Sequence, residues 1–370
     1  MNHKLGQLMM IGLEGTTLTP DEAEFIVLHN VGGVCLFSRN YESPEQVYQL
    51  CKSIQDLQPR MADKAPLFVS VDMEGGRVQR FKEPFTIWPA LEKLGKLGSN
   101  SMAFRMGQAM GEELRSVGVN LNFAPCVDVL SNPSNPVIGD RSLGDDPEKV
   151  TSLASGLVRG FIKANIIPCA KHYPGHGNTT VDSHLELPVE ETDLDTLRER
   201  ELIPFKKVFR SRIDMVLVAH ILFKNIDPDH PVTFSKKFLQ DILRDELRYR
   251  GVVVSDDLDM KALAANYTAE EIPVKALQAG IDLLLYCNEP EKPPIAFEAL
   301  DKALKDKQLS MASIDESYNR IMELKKNKLA KLPPVSQEEA LAIVGNPQSA
   351  IIAEAIASGQ IPEEFANSTT

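Results

Sequence analysis

Basic residues are in the minority in this chain. Its 40 lysines and arginines stand against 52 aspartates and glutamates, which gives a formal charge of −12. No stretch gathers basic residues into the stripe that a phosphate backbone attracts. We therefore expect no nucleic-acid partner.

Long apolar runs are also missing. No span approaches the roughly 20 apolar residues that a membrane helix needs. The apolar run before Glu14 is too short for the hydrophobic core of a signal peptide. We therefore expect no membrane span.

The cysteines fit neither a disulfide framework nor a CxxC metal pattern. They are odd in number, and four of them fall in or beside apolar, strand-like runs. They are Cys35, Cys51, Cys126, Cys169 and Cys287. Buried thiols in a reducing compartment explain this arrangement best, so we predict a cytoplasmic protein.

What the sequence does contain is an alternation of short apolar runs with longer stretches of helical periodicity, which is typical of βα units around a parallel sheet. The strand-like runs lie near residues 6–13, 31–37, 67–72, 119–126, 165–171, 214–220, 251–256 and 281–286. An open doubly wound sheet has the same alternation. Eight strands and the lack of a glycine-rich dinucleotide motif after the first favour a (β/α)8 barrel of TIM type.

Predicted helix starts divide the chain further, and the barrel domain is predicted to end near residue 330. Thr19 and Ser43 each precede a proline and an acid or amide, and Asp146, Ser235 and Ser313 are further caps. We predict one barrel domain over residues 1–330. Residues 331–370 are predicted to form a C-terminal extension with two short helices, 336–345 and 347–359, and a frayed end.

Polar residues follow the apolar runs where catalytic side chains collect in such barrels, at the carboxyl ends of the strands. The densest group is the block 171–177, which begins Lys171-His172 and ends His176-Gly177. His172, His176 and the nearby His184 could converge on a metal, but no zinc spacing is matched. The block therefore predicts a functional loop without a metal.

Two further groups supply acids. Asp182 lies two residues before His184 and could orient that imidazole as a general acid. Asp256 and Asp257 end the seventh run, and strand-end placement favours Asp256 as a nucleophile, with Asp257 capping a helix or pairing with a neighbour. Such a pair is the minimum apparatus of a retaining glycosidase.

Other polar residues have structural interpretations beside functional ones. Glu74 and Arg77 are interpreted as structural ion-pair members. Asp128 either supports the site or only stabilises its loop. Lys171 at a strand end costs desolvation unless it meets a partner or ligand, which favours a functional role.

Together these residues resemble family 3 glycoside hydrolases, specifically the single-domain bacterial β-N-acetylglucosaminidases of peptidoglycan recycling. The resemblance covers roughly residues 5–330. Its most specific elements are the block 171–177, the triplet 182–184 and the stretch 255–258, with support from residues 72–80 and 139–142. Tyr173 and Asn178 depart from the family pattern, which has phenylalanine and often aspartate there.

The resemblance implies a role for each matching residue. Asp256 becomes the nucleophile, and His184 becomes the acid/base that Asp182 orients. The residues implied to hold N-acetylglucosamine are Asp72, Arg80, Arg141, Lys171 and His172.

The expected activity is retaining hydrolysis of terminal β-1,4-linked N-acetylglucosamine from muropeptides, by a monomer without metal or organic cofactor. A phosphorylase on the same scaffold is the nearest alternative, since a histidine acid/base does not repel phosphate. A metal-dependent hydrolase and a non-catalytic sugar-binding protein are more distant alternatives.

Overall fold

Eight parallel strands close into a barrel in the computed structural model, which describes residues 3–183, 185–330 and 335–366. In chain order they are β1 (Met9–Gly12), β2 (Gly33–Leu36), β3 (Phe68–Val71), β4 (Leu121–Asn122), β5 (Ile167–Tyr173), β6 (Met215–Val218), β7 (Val252–Asp257) and β8 (Leu283–Tyr286). Each strand pairs with its neighbour in the chain, and β1 pairs with β8. The predicted TIM-type barrel is confirmed.

Each predicted apolar run contains one barrel strand, with differences at the ends. The first run was predicted to be strand from residue 6, but the helix His3–Gln7 occupies its start. Strands β5 and β7 extend beyond their predicted ends, to Tyr173 and Asp257. These two long strands carry three of the eight predicted site residues, Lys171, His172 and Asp256, to the carboxyl end of the barrel.

Helices surround the barrel. They are α1 (His3–Gln7), α2 (Pro20–His29), α3 (Pro44–Gln55), α4 (Leu91–Leu97), α5 (Asn100–Ser116), α6 (Pro147–Lys163), α7 (Leu194–Glu199), α8 (Leu202–Arg210), α9 (Lys261–Ala264), α10 (Glu271–Ala279), α11 (Lys292–Lys305) and α12 (Met311–Lys328), with a π-type helix over Lys237–Glu246. The predicted caps Thr19, Ser43 and Asp146 accept hydrogen bonds from first-turn amides. The prediction of Ser313 as a cap was wrong, because Ser310 caps α12 and accepts from the Ser313 amide.

The C-terminal extension forms α13 (Gln337–Ile343), α14 (Pro347–Ser358) and α15 (Glu363–Ala366). The first two pack against α5, and the buried carboxylate of Glu113 on that helix accepts a hydrogen bond from the Gly345 amide (2.7 Å). The stretch Gln337–Ser358 is long and apolar enough for a membrane helix, with a mean hydropathy of 1.3. It is divided into two helices at residues 344–346, and Asn346 caps the second. Its composition alone does not establish a membrane span.

A buried lysine lies at the amino ends of the strands, opposite the predicted site. Lys325 of α12 is 1% exposed and donates to Gln7 Oε1 (2.7 Å) and to the Gly32 carbonyl (2.6 Å). Its ammonium lies 4.8 Å from the centre of the Phe68 ring. Burial lowers the pKa of Lys325 to about 7 from its ordinary value of 10.5.

This lowered pKa predicts a pH dependence of stability. Between pH 7 and 10 the unfolded chain holds a proton on Lys325 that the folded chain has lost, so the free energy of unfolding rises with pH. The slope is at most about 1.4 kcal/mol per pH unit. Urea unfolding of wild type and Lys325→Met at pH 7, 8 and 9 measures it. We expect the variant to lack this slope; a wild-type minus variant difference that stays constant with pH contradicts the prediction.

Candidate active site

A cavity of about 520 Å³ opens at the carboxyl ends of the barrel strands. Seven of the eight predicted site residues line it, namely Asp72, Arg80, Arg141, Lys171, His172, Asp182 and Asp256. The eighth, His184, lies outside the described residues. The barrel brings the carboxyl ends of β3, β5 and β7 to one rim. Residues as far apart in the sequence as Asp72 and Asp256, 184 positions, therefore line the same cavity.

A network of buried charges forms one wall of the cavity. The Lys171 ammonium lies 2.6 Å from Asp72 Oδ1 and 2.5 Å from Glu74 Oε1. Arg141 grips Glu74 with two hydrogen bonds, of 2.9 and 2.7 Å. Arg80 contacts the other oxygen of Asp72 at 3.4 Å. Paired, hydrogen-bonded ions of this kind are the form in which buried charge is tolerated.

The interpretation of Glu74 and Arg77 as ion-pair members is confirmed, but their pairs differ in burial. Glu74 is 2% exposed and joins Lys171 to Arg141, whereas Arg77 is exposed and pairs with Asp140 (2.9 Å). Burial alone raises the pKa of Glu74, but the charges of Arg141 and Lys171 hold it well below its usual range. Conversely, burial alone lowers the pKa of Lys171, but the negative charges of Asp72 and Glu74 outweigh this effect and hold the pKa above its ordinary value. Glu74 and Lys171 therefore stay charged at neutral pH.

Glu74→Gln is expected to lower the free energy of unfolding by about 2–3 kcal/mol, because two buried cations lose a charged acceptor. The wild-type contribution is present above about pH 4.5 and is lost as the pH falls, since the unfolded carboxylate binds its proton first. Urea unfolding at pH 7, 5 and 4 measures both effects. Equal stability of the two proteins at pH 7 contradicts the prediction.

Next to these charges, His172 is fixed by two partners. Its Nδ1 lies 2.7 Å from Asp128 Oδ2, and its Nε2 lies 3.2 Å from Arg141 Nη2. A guanidinium can only donate, so Nε2 accepts and the ring proton lies on Nδ1. Of the two interpretations of Asp128, the supporting one holds: it is 1% exposed and orients His172 from behind the cavity.

Asp128 is also the centre of the one metal-like grouping among the described residues. Donor atoms of Cys126, Asp128 and His172 lie within 4.8 Å of one another. The grouping fits a cation poorly, because both nitrogens of His172 are already engaged and the Arg141 guanidinium lies beside the ring. Burial and neighbouring acids raise the pKa of the Cys126 thiol well above its usual range, whereas a metal ligand must be a thiolate.

The two acids at the end of β7 have different surroundings. Both line the cavity, but Asp256 is half-buried whereas Asp257 is only 8% exposed. The carboxylate of Asp257 accepts from the Cys287 amide (3.1 Å) and from Asn288 Nδ2 (2.6 Å), so it anchors the loop after β8. Burial, followed by the neighbouring Asp259, raises the pKa of Asp257 to about 7. This geometry supports the choice of Asp256 as the reacting acid.

Sequence reasoning missed residues of the loop after β8. Cys287, Asn288 and Glu289 line the cavity, and Arg39 holds this loop through Asn288 Oδ1 (3.1 Å) and the Cys287 carbonyl. The same strand-end rule that found Asp72 could have found Asn288 and Glu289, which directly follow the eighth apolar run.

The chain matches the family model of the glycosyl hydrolase family 3 N terminal domain over residues 1–324. Among curated relatives, the β-hexosaminidases of Methylococcus capsulatus and Alkalilimnicola ehrlichii are 42% and 41% identical to it. The matches cover 79% and 80% of this chain, and 86% and 84% of the relatives.

Solved structures agree with these relatives. NagZ from Neisseria gonorrhoeae, in complex with N-trifluoroacetyl-D-glucosamine, has a TM-score of 0.77 at 30% identity and covers 96% of this chain and 98% of its own. A family 3 β-N-acetylglucosaminidase from Paenibacillus sp. has a TM-score of 0.91 at 36% identity, over 97% of this chain and 68% of that one. This chain spans 42% of a similar fungal multi-domain enzyme. The chain therefore belongs to glycosyl hydrolase family 3 and is a glycoside hydrolase of the β-hexosaminidase type.

Proposed function

We propose that this protein is a retaining enzyme that removes terminal β-1,4-linked N-acetylglucosamine through a covalent intermediate on Asp256. The observation that carries the proposal is one cavity bordered by three features: the strand-end acid Asp256, the segment of Asp182 and Ser183 that leads to His184, and the ion network of Lys171. An acid/base, a nucleophile and a set of hydroxyl-binding groups are what such a reaction needs.

Two balanced steps follow from these roles. In the first, an Asp256 oxygen attacks the anomeric carbon as the bond to the leaving oxygen breaks, and His184 gives its proton to that oxygen. In the second, a water oxygen attacks the anomeric carbon, its proton passes to His184, and the Asp256 carboxylate leaves. Two inversions give net retention, and Asp182 orients the imidazole in both steps.

The ion network is suited to hold the sugar. Charged oxygens of Asp72 accept from sugar hydroxyls, while Arg80, Arg141 and Lys171 donate to sugar oxygens. The ring of His172, fixed by Asp128, limits the position of the sugar. A related structure, that of the Neisseria protein, contains a glucosamine derivative, which supports this sugar class.

For the physiological substrate we propose muropeptide fragments of peptidoglycan in the cytoplasm, hydrolysed by a monomer. A relative named β-hexosaminidase, matched over 86% of its length, supports the hexosaminide part of this proposal. The five cysteines are all buried free thiols, which is compatible with a reducing compartment.

Product analysis tests the reaction type. We expect proton NMR of 4-nitrophenyl N-acetyl-β-glucosaminide turnover to show the β-anomer of N-acetylglucosamine first, with α-anomer appearing only by mutarotation. The α-anomer as the first product contradicts retention. Sugar 1-phosphate formed in phosphate buffer would instead make the enzyme a phosphorylase.

A further inference from the structure

His176 is buried beside the cavity, and both of its ring nitrogens are used. It is 1% exposed, its Nδ1 lies 2.6 Å from Thr179 Oγ1, and its Nε2 lies 3.3 Å from Ser183 Oγ. Ser183 is itself 2% exposed and directly precedes His184 in the chain.

The hydrogen bonds of Thr179 fix the tautomer of the His176 ring. The Thr179 hydroxyl donates to the His176 carbonyl (2.9 Å) and also accepts from Asn135 Nδ2 (3.2 Å). Its only proton is therefore used, and it must accept from His176 Nδ1–H. The lone pair of Nε2 then faces Ser183 and accepts its hydroxyl proton.

Burial keeps that lone pair available. It lowers the pKa of His176 to about 4, with a smaller lowering from His172 and opposing effects of Asp128 and Asp256. At neutral pH the ring is therefore uncharged and Nε2 remains an acceptor.

The backbone under His176 is held rigidly. Its amide donates to Asp128 Oδ1 (2.6 Å), and its carbonyl accepts from Asn135 Nδ2 (2.8 Å). The flanking glycines cannot be replaced without displacement: a Cβ at Gly177 would lie 1.7 Å from the Val129 carbonyl oxygen, and Gly175 has φ of 137°. The ring is thus mounted on a fixed base beside the cavity.

Ser183 has a second anchor on the nucleophile side of the cavity. Its carbonyl accepts from the Ala262 amide (3.3 Å), in the helix α9 that follows β7 and Asp256. The peptide before His184 is therefore held at two points, by the His176 ring and by the segment that follows Asp256.

We propose that His176 is a positioning residue that acts through Ser183 to hold Asp182 and Ser183, which lead to His184, at the cavity. This inference rests on the proposed role of His184 as acid/base. Loss of the His176–Ser183 hydrogen bond impairs proton transfer to the leaving group, while the sugar-binding network of Lys171 keeps its geometry. The effect is greatest when the leaving group needs protonation most.

Leaving-group dependence tests this proposal. Ser183→Ala, His176→Asn and the double variant are compared on N,N′-diacetylchitobiose, a poor leaving group, and on the 2,4-dinitrophenyl glycoside, a good one. We expect kcat/KM to fall about 10- to 100-fold on the first and less than about threefold on the second. The double variant should be no slower than His176→Asn alone, because both substitutions remove the same hydrogen bond, the one between His176 and Ser183. His176→Gln, whose amide oxygen can reach the position of Nε2, should recover part of the loss.

The matched control is Ser317→Ala, which removes another buried serine hydroxyl, bonded to Asp282 Oδ1 (2.7 Å) far from the cavity. It should lower stability without any leaving-group dependence. Equal losses on both substrates, additive losses, or no loss in folded Ser183→Ala overturn the inference. If His184→Ala itself shows no leaving-group dependence, the proposed function has failed instead.

Discussion

Asp256→Asn is expected to reduce kcat/KM for 4-nitrophenyl N-acetyl-β-glucosaminide by about 10⁴-fold, because an amide cannot form the glycosyl ester. The fold should be retained, since Asp256 lies at the end of β7 and lines an open cavity. Steady-state kinetics together with thermal unfolding measure both. Near-native turnover contradicts the role of Asp256.

A matched control lies one residue along the chain. Asp257→Asn makes the same chemical change in a carboxylate that holds Cys287 and Asn288. We expect mainly a loss of stability, with kcat/KM reduced less than about tenfold. In addition, Asp256→Ala with azide should form the α-glycosyl azide, because azide then attacks from the vacant nucleophile side.

His184→Ala is expected to give the second large effect, a loss of about 10²–10⁴-fold in kcat/KM on N,N′-diacetylchitobiose. The 2,4-dinitrophenyl glycoside should lose little in kcat/KM, because its leaving group needs no proton. The kcat of the variant on this glycoside should fall, because hydrolysis of the covalent intermediate then lacks a general base. Kinetics on the two substrates measure the difference.

Azide provides the control for that variant. Azide needs no base, so it should raise kcat of His184→Ala on the dinitrophenyl substrate and yield the β-glycosyl azide. The two variants should therefore yield opposite anomers of the glycosyl azide, which distinguishes the nucleophile Asp256 from the acid/base His184. An equal loss on both aglycones without azide rescue contradicts an acid/base role.

The barrel was predictable because its strands are short apolar runs with polar residues at their carboxyl ends. Errors occurred where local signals were ambiguous. The first predicted run begins at residue 6, but Gly6 and Gln7 belong to α1 and the barrel strand begins only at Met9. Ser310 and Ser313 are both acceptable caps, and only the structure shows which hydroxyl accepts an amide.

The sequence predicted which residues line the site, but not which of them form ion pairs or hydrogen bonds with one another. Strand-end placement found Lys171 and Asp72, but nothing local to Glu74 indicates that its partner Arg141 lies 67 residues away. Asp128 likewise orients a histidine 44 residues distant. Such contacts depend on the register of neighbouring loops, which composition and periodicity do not encode.

The two departures from the family pattern are explained locally. The Tyr173 hydroxyl donates to the Phe238 carbonyl (3.0 Å), a bond that phenylalanine lacks. Asn178 Nδ2 donates to Glu190 Oε2 (2.7 Å), where an aspartate would instead oppose the glutamate charge. Tyr173 thus ties the end of β5 to the helix Lys237–Glu246, and Asn178 ties its loop to Glu190.

Covalent trapping tests the central role of Asp256 most directly. A 5-fluoro-N-acetylglucosaminyl fluoride slows both steps through its ring fluorine, while its fluoride leaving group keeps the first step fast enough for the intermediate to accumulate. Intact-mass and peptide mass spectrometry should show one added sugar, attached to the peptide that contains Asp256 and absent from Asp256→Asn. A sugar attached to another residue, or turnover to the α-anomer with no adduct, would contradict the proposed mechanism.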